Sequence, residues 1–227
     1  MPTLVHYLPV ATTLVAAVFA PSVLARWRRK RPAPHLFWWG LGIGVYGLGT
    51  LTESITTLFG WHEAVFRAWY VSGALLGAAP LAQGTAYLML PRRVAHALTA
   101  VLGLVVAVAA GVVLQSPIDL TAVEPYRLTG AALAWPGARM FSPFINSYAV
   151  VLLVGGAAVS ALHYRGDPRE RHRFLGNVLI AFGALLPAIG GTAARMGATE
   201  VLYVTELAGL VLIWWGYRFN VSEARRG

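Results

Sequence analysis

Seven long apolar stretches constrain the fold of this chain more than any other feature. A helix needs about 20 mostly apolar residues to cross the hydrocarbon core of a bilayer, which is about 30 Å thick. With 57% apolar and only 12% charged residues, the 227-residue chain has the composition of a membrane protein. The sequence therefore predicts an all-α, polytopic bundle of seven transmembrane helices that forms a single domain over residues 1–227. The predicted helices are 4–25, 36–59, 68–90, 94–115, 144–162, 174–196 and 201–219, with an external loop at 116–143.

The distribution of cationic residues predicts the orientation of this bundle. Cytoplasmic segments of membrane proteins carry an excess of Lys and Arg. With the N-terminus outside and the C-terminus inside, fourteen of the 18 cationic residues fall on the cytoplasmic side. We therefore expect a multi-pass protein of the cytoplasmic (inner) membrane. The cytoplasmic group is Arg26, Arg28, Arg29, Lys30, Arg31, Arg92, Arg93, Arg165, Arg169, Arg171, Arg173, Arg218, Arg225 and Arg226, and the outer group is Arg67, Arg127, Arg139 and Arg195.

The first and last thirds of the chain show a weak internal similarity. A constant shift aligns the first three predicted helices with the last three, which predicts a parallel three-plus-three repeat joined by the fourth helix. The alternative is that arginine and aromatic residues recur at any membrane interface. The aligned pairs include Trp27 with Tyr164, Arg28 with Arg165, His35 with His172, Phe37 with Phe174, Gly60 with Gly197, and Glu63 with Glu200.

This three-one-three plan is similar, at the level of fold alone, to that of the microbial opsins and of the SWEET-type sugar transporters with their PQ-loop relatives. Fold similarity does not carry function. Covalent retinal binding is excluded because the one lysine, Lys30, lies in a cytoplasmic loop and not in the seventh helix. The Pro-Gln dipeptide of the PQ-loop group is also missing.

Four charged residues near the outer ends of the predicted helices form the candidate site. A charge within a spanning helix is costly and is by default a functional candidate. Glu53 lies roughly 9 Å inside the second helix at 1.5 Å per residue, and Glu206, Arg67 and Arg195 belong to the same layer. These residues predict either a polar ligand cavity that opens outward or ion pairs that lock helix ends together. Further candidate ligand-binding residues around them are Thr50, Thr57, Tyr70, Tyr203 and Asn146.

The residue inventory excludes several classes of function. The absence of cysteine removes disulfides and thiolate chemistry. The six histidines fall at predicted helix ends or in loops, which disfavours haem, and no His/Glu spacing within a helix suits a metal ion. The basic residues are divided among short clusters between apolar runs, so no nucleic acid partner is expected. No catalytic residues are assigned.

Three functions remain open at this point. The first is an integral membrane protein, a transporter or a receptor, that binds or translocates a small molecule or ion through the outer cavity. The second is a non-catalytic accessory or scaffold subunit that contacts a protein partner through loop 116–143, since ordered loops of this length usually act as lids or interaction surfaces. The third is a membrane-embedded lipid-modifying enzyme.

Overall fold

A computed structural model describes residues 3–222, and this part of the chain is helical. Six helices within it are long and apolar enough to cross a bilayer, which is the architecture of a multi-pass membrane protein. Arg225 and Arg226, which contribute to the predicted charge bias, lie outside the described residues. The six are Leu4–Arg29, Glu63–Met89, Arg92–Gln115, Pro136–Tyr164, Pro168–Arg195 and Thr199–Val221.

Eight α-helices make up the described chain, and short 3-10 turns precede or connect several of them. They are α1 (Leu8–Arg29), α2 (Pro34–Phe59), α3 (Glu63–Trp69), α4 (Ala79–Met89), α5 (Arg92–Gln115), α6 (Pro136–Tyr164), α7 (Arg171–Arg195) and α8 (Thr199–Ser222). The 3-10 turns are Leu4–Tyr7, Leu120–Ala122, Gly130–Ala132 and Pro168–Glu170, and a π-helical turn covers Tyr70–Leu75.

Helix α2, the second predicted span, is not among the six apolar helices. It is 26 residues long, and eleven of these are buried. It packs against α1, α3, the π turn and α4, so most of its surface meets protein. Its exposed leucines form one narrow stripe at Leu41, Leu48, Leu51 and Leu58. A helix enclosed in this way can carry glycine and hydroxyl residues that a lipid-facing helix does not tolerate.

The predicted helix at 68–90 is interrupted in the structure. Helix α3 ends at Trp69, a π turn follows, and α4 begins at Ala79. Within the interruption Leu76 N donates to Val71 O at 3.1 Å and Gly77 N donates to Gly73 O at 3.1 Å. Pro80 lies in the first turn of α4, where its missing N–H group costs nothing. Continuous apolar composition conceals such a break, because hydropathy does not depend on backbone hydrogen bonding.

Helix α6 begins at Pro136, eight residues before the predicted start, so the external segment spans 116–135. Proline is tolerated in a first helical turn, so Pro136 starts the helix although it lies within the predicted loop 116–143. The segment is folded: Asp119 N donates to Ala132 O at 2.9 Å and Ala134 N donates to Pro117 O at 3.0 Å. We call residues 116–135 the external cap, after the side of the membrane on which the sequence predicts them.

The chain divides into two compact units, one up to Ala149 and one from Val150 onward. The core of the first unit includes Phe66, Tyr70 and Val113 from the helices together with Leu128 and Leu133 from the external cap. The second unit contains α7 and α8, which pack through glycines. A Cβ atom on Gly183 would lie 2.7 Å from Gly209 O, and one on Gly176 would lie 2.8 Å from Gly216 O, so larger residues are excluded there.

Candidate functional site

Glu53 lies on α2 where this helix meets the interrupted one. Its side chain is buried, with 3% of the residue exposed. The indole N–H of Trp69, the last residue of α3, donates to Glu53 Oε1 at 2.9 Å. One turn earlier, a Cβ atom on Gly49 would lie 2.9 Å from the Cα atom of Gly73 in the π turn. The two glycines therefore allow the backbones to approach and bring the carboxylate against the break.

A group of buried hydroxyls accompanies Glu53 along α2. Thr50 Oγ1 lies 2.9 Å from Thr13 Oγ1 of α1, and Thr57 Oγ1 donates to His6 O at 3.2 Å. Ser54 Oγ donates to Thr50 O at 2.7 Å. Thr50 and Thr57, both predicted site residues, therefore join α2 to the first helical segment, and each hydroxyl oxygen still carries lone pairs that can accept a hydrogen bond.

Arg67 caps the end of α5. Its guanidinium forms an ion pair with Glu63 at 2.7 Å and donates to the carbonyls of Val113 at 2.6 Å, Leu114 at 3.0 Å and Ser116 at 3.0 Å. The last carbonyls of a helix lack partners within the helix, and a cation there also interacts favourably with the helix dipole. Of the two predicted roles, ligand binding and the locking of helix ends, these contacts support the second for Arg67. Its acidic partner is Glu63 and not Glu53.

An aromatic cluster lies beside the carboxylate. Phe66 is 5.9 Å from Trp61, 6.0 Å from Trp69 and 6.1 Å from Tyr70 between ring centroids. Tyr70, a predicted site residue, is only 3% exposed. We call Trp61, Phe66, Trp69 and Tyr70 the aromatic cluster. The external cap packs onto it, since Leu128, Ala132 and Leu133 share one buried core with Phe66 and Tyr70.

Asn146, another predicted site residue, supports the interruption. Its Nδ2 donates to Ala74 O at 3.1 Å, and Ser142 Oγ donates to the same carbonyl at 2.9 Å. Two side chains of α6 thus satisfy a carbonyl within the π turn, as non-helical backbone at membrane depth requires. Ser142 was not predicted because it lay in the expected loop. The four-residue spacing from Ser142 to Asn146 was the available signal, since it places both on one helix face.

The remaining predicted site residues belong to the second unit. Arg195 is the last residue of α7 and is exposed. On α8, Tyr203 is 2% exposed and Glu206 is partly buried one turn further along. The site residues are therefore divided between the units, and their convergence on one ligand stays a prediction.

A second polar network joins α4, α5 and α6 within the first unit. Gln83 is fully buried; its Nε2 donates to Thr99 Oγ1 at 2.7 Å, and Tyr148 OH donates to its Oε1 at 2.6 Å. Tyr87 OH lies 3.1 Å from Thr99 Oγ1 and 2.8 Å from His96 Nδ1. The network extends from the buried middle of α4 to the helix ends at Met89 and Arg92.

Comparison with protein-family models and with curated proteins finds no match for this sequence. The function is therefore inferred from the geometry of the residues themselves.

Proposed function

We propose that this chain binds a small cation at Glu53, between α2 and the interrupted helix, and carries it across the cytoplasmic membrane as a transporter. The observation that carries the proposal is the buried carboxylate of Glu53, which lies against the break at Gly73. The proposal narrows the small molecule or ion expected from the sequence to one of positive charge.

The surroundings of Glu53 suit a cation. Removing a carboxylate from water is expensive, and a bound proton, metal cation or ammonium group offsets that cost. Helix α2 itself has no lysine or arginine. The hydroxyl oxygens of Thr50 and Thr57 can coordinate a small cation, and the faces of the aromatic cluster suit an organic ammonium group.

The interrupted helix favours transport over static binding. Helices broken at membrane depth are a recurrent feature of transporters, where they line ion and substrate sites. Here the break is held by two hydrogen bonds to Ala74 O and by the close contact of Gly49 with Gly73. Rearrangement of these few contacts would change the access to Glu53 without unfolding either half of the helix.

Thermal unfolding of the protein in lipid nanodiscs tests the binding step. Unfolding is followed by tryptophan fluorescence in sodium, potassium or choline chloride at constant ionic strength, with N-methylglucamine as the bulky reference cation. A ligand at 100 times its Kd stabilises the folded state by about 2.7 kcal/mol, so we expect one of the three cations to raise the Tm by several degrees. Glu53→Gln keeps an acceptor for Trp69 and should abolish that increase.

Glu200→Gln is the matched control, because Glu200 is an exposed carboxylate at the start of α8. It should respond to the cation as the wild type does. An unaltered cation response in a folded Glu53→Gln variant would disprove the assignment, and so would a wild-type protein that responds to none of the three cations. Flux of the active cation into proteoliposomes then tests the transport step.

We further propose seven spans, with the N-terminus outside and the C-terminus inside. The support is that α2, with 26 residues, is long enough to cross, although it is not among the six apolar helices. The chain has no cysteine, so single cysteines report sidedness without background. Leu120→Cys in the external cap should react with a membrane-impermeant maleimide in intact cells, whereas Arg169→Cys should react only after permeabilisation. The reverse pattern would overturn the orientation.

The parallel repeat is also proposed, on one backbone feature. Gly60 and Gly197, which the sequence alignment pairs, both have a positive φ, at 88° and 96°. Each follows a long helix and precedes the next. Replacement of either glycine by alanine should therefore destabilise the protein, because a side chain is strained at such angles.

A role as an accessory subunit is the second candidate, and the surface of the external cap favours it. Leu120 is 74% exposed, Tyr126 46% and Trp135 45%, so the cap offers apolar residues to a protein partner. If the protein is a subunit, a Leu120→Asp, Trp135→Ala variant should remain folded and lose a stoichiometric partner that co-purifies with the wild type in mild detergent. Purification of the wild type without a partner would count against this role.

A further inference from the structure

A cleft of about 400 Å³ opens at the end of the first unit opposite Glu53. It is built where α1 runs into α2 and where α4 runs into α5, and its walls are aromatic rings and two arginines. Its volume is within the range of small-molecule sites, which begins at roughly 300 Å³. The lining residues that matter here are Trp27, Arg31, Phe37, Trp38, Tyr87 and Arg92.

The aromatic walls of the cleft are ordered by contacts with each other. The Trp27 ring packs against Phe37 at 5.1 Å between centroids, and Trp38 stacks on Tyr87 at 6.4 Å and 11°. Tyr87 OH is in turn fixed by His96 Nδ1 at 2.8 Å. The cleft is therefore a preformed apolar slot with polar atoms near its mouth, a combination typical of the membrane–water interface.

The two arginines of the cleft lack acidic partners within the described residues. Arg31 lies over the Trp27 ring, 4.1 Å from its centroid, which leaves its N–H edges available to a ligand. Residues 1–52 and 64–118, which supply the whole cleft, contain no aspartate or glutamate. Arg67, Arg127 and Arg173 instead pair with Glu63, Glu124 and Glu170, respectively. The charge of this cleft is therefore complementary to that of an anion.

We propose that the cleft binds the phosphate headgroup of an anionic phospholipid. Arg31 and Arg92 would contact the phosphate oxygens, since guanidinium groups match the geometry of phosphate, and the slot between Trp27, Phe37 and Trp38 would hold the glycerol and the start of the acyl chains. A basic pocket between helices at the membrane surface is the usual form of such a site. A lipid fits better than a soluble phosphate because seven of the ten lining residues are aromatic, proline or alanine, with Pro32, Ala33 and Pro34 beside Trp27, Phe37, Trp38 and Tyr87. The site is independent of Glu53 and of the proposed transport.

Native mass spectrometry of the purified protein tests the site, with dioleoyl phosphatidylglycerol and dioleoyl phosphatidylcholine as probes. The wild type should retain phosphatidylglycerol in preference to phosphatidylcholine. Arg31→Gln, Arg92→Gln should weaken phosphatidylglycerol binding about tenfold, because basic residues near an anionic lipid contribute additively, and should leave phosphatidylcholine binding unchanged.

Arg28→Gln, Arg93→Gln is the matched control. Like the test variant, it removes two positive charges, here from exposed residues near the same helix ends. Neither Arg28 nor Arg93 lines the cleft. This pair should retain the lipid preference within about twofold, because diffuse surface attraction is largely screened by salt. Equal losses in the two double variants would overturn the proposal in favour of nonspecific charge attraction.

Competition with inorganic phosphate distinguishes a lipid headgroup from a soluble phosphate as the ligand of the cleft. An excess of inorganic phosphate should fail to displace phosphatidylglycerol from the wild type, because it makes none of the apolar contacts. Displacement by inorganic phosphate that depends on Arg31 and Arg92 would instead assign the cleft to a soluble anion and overturn the lipid proposal.

Discussion

Helices α2 and α5 are similar in length and opposite in environment. Helix α5 is one of the six apolar helices, and only three of its 24 residues are buried. Helix α2 falls outside the apolar class, and eleven of its 26 residues are buried. The hydropathy of a helix therefore indicates whether it faces lipid or protein more directly than it indicates whether the helix crosses the membrane. A helix surrounded by neighbours can hold a glutamate and several hydroxyls, whereas one in contact with lipid cannot.

Glycines illustrate the same contrast at the level of single residues. On α5, Gly103 and Gly111 have open space where a Cβ atom would be. On α2, a Cβ atom at Gly42 would lie 2.7 Å from Leu81 N, and one at Gly47 would lie 2.8 Å from Ala16 Cβ. Gly42 and Gly47 of α2 therefore determine how closely α4 and α1 approach, whereas Gly103 and Gly111 of α5 meet no neighbour.

The largest expected effect is that of a charge on the lipid face of α5. Leu104 is 68% exposed near the middle of this helix. Leu104→Arg should cost about 2.5–3.5 kcal/mol of insertion free energy and lower the amount of folded protein in the membrane. Leu104→Ile is the apolar control and should behave as the wild type. Normal insertion and stability of Leu104→Arg would show that α5 faces water or protein.

The next largest effect on stability is expected from a methyl group added where two helices are in close contact. Gly42→Ala should destabilise the protein by about 1–3 kcal/mol because the added methyl group overlaps the backbone of α4. Gly103→Ala makes the same chemical change in open space and should have no such effect. Detergent-induced unfolding measures both. Equal stabilities of the two variants would remove the distinction between the helices.

The hydrogen bonds that α6 donates to the interrupted helix should contribute less to the stability of the protein. Ser142→Ala and Asn146→Ala each remove one donor to Ala74 O, and bonds of this type between membrane helices average about 0.6 kcal/mol. The double variant should be more destabilised than either single variant, because one donor no longer compensates for the other. Ser147→Ala, at an exposed position of the same helix, is the control. A double variant as stable as Ser147→Ala would mean that the carbonyl finds other donors.

The smallest expected effect is a pH response in the external cap. The Thr121 hydroxyl and the Thr121 backbone N–H both donate to the Asp119 carboxylate. These hydrogen bonds, of which the one from the hydroxyl has the larger effect, hold the pKa of Asp119 below its usual value. A carboxyl with a lowered folded-state pKa contributes stability above its unfolded pKa of about 3.9, and this contribution is lost as the pH falls through the folded-state pKa. Protease susceptibility of the cap should therefore increase in acid. Asp119→Asn should show no increase over the same range, and a matching increase would exclude Asp119 as the cause.

Most helices could be predicted from the sequence because burial in lipid imposes length and composition together. The break in the third predicted span could not, since it depends on a carbonyl held by Ser142 and Asn146, which are distant in the sequence. For the candidate site, the cost of a charge within a span was enough to single out Glu53 as a candidate, and the structure buries its side chain. Its hydrogen-bond donor Trp69 could not be predicted, because the pairing depends on how closely Gly49 and Gly73 approach.

Oxygen accessibility of spin labels along α2 tests its enclosure most directly, and the absence of native cysteine allows one label at each position. If protein surrounds α2, dissolved oxygen should reach labels at Leu41, Leu48 and Leu58 and should be excluded at Glu53 and Thr57. Labels along α5 should be accessible around most of the helix. High oxygen accessibility on every face of α2 would contradict the enclosure and, with it, the environment inferred for Glu53.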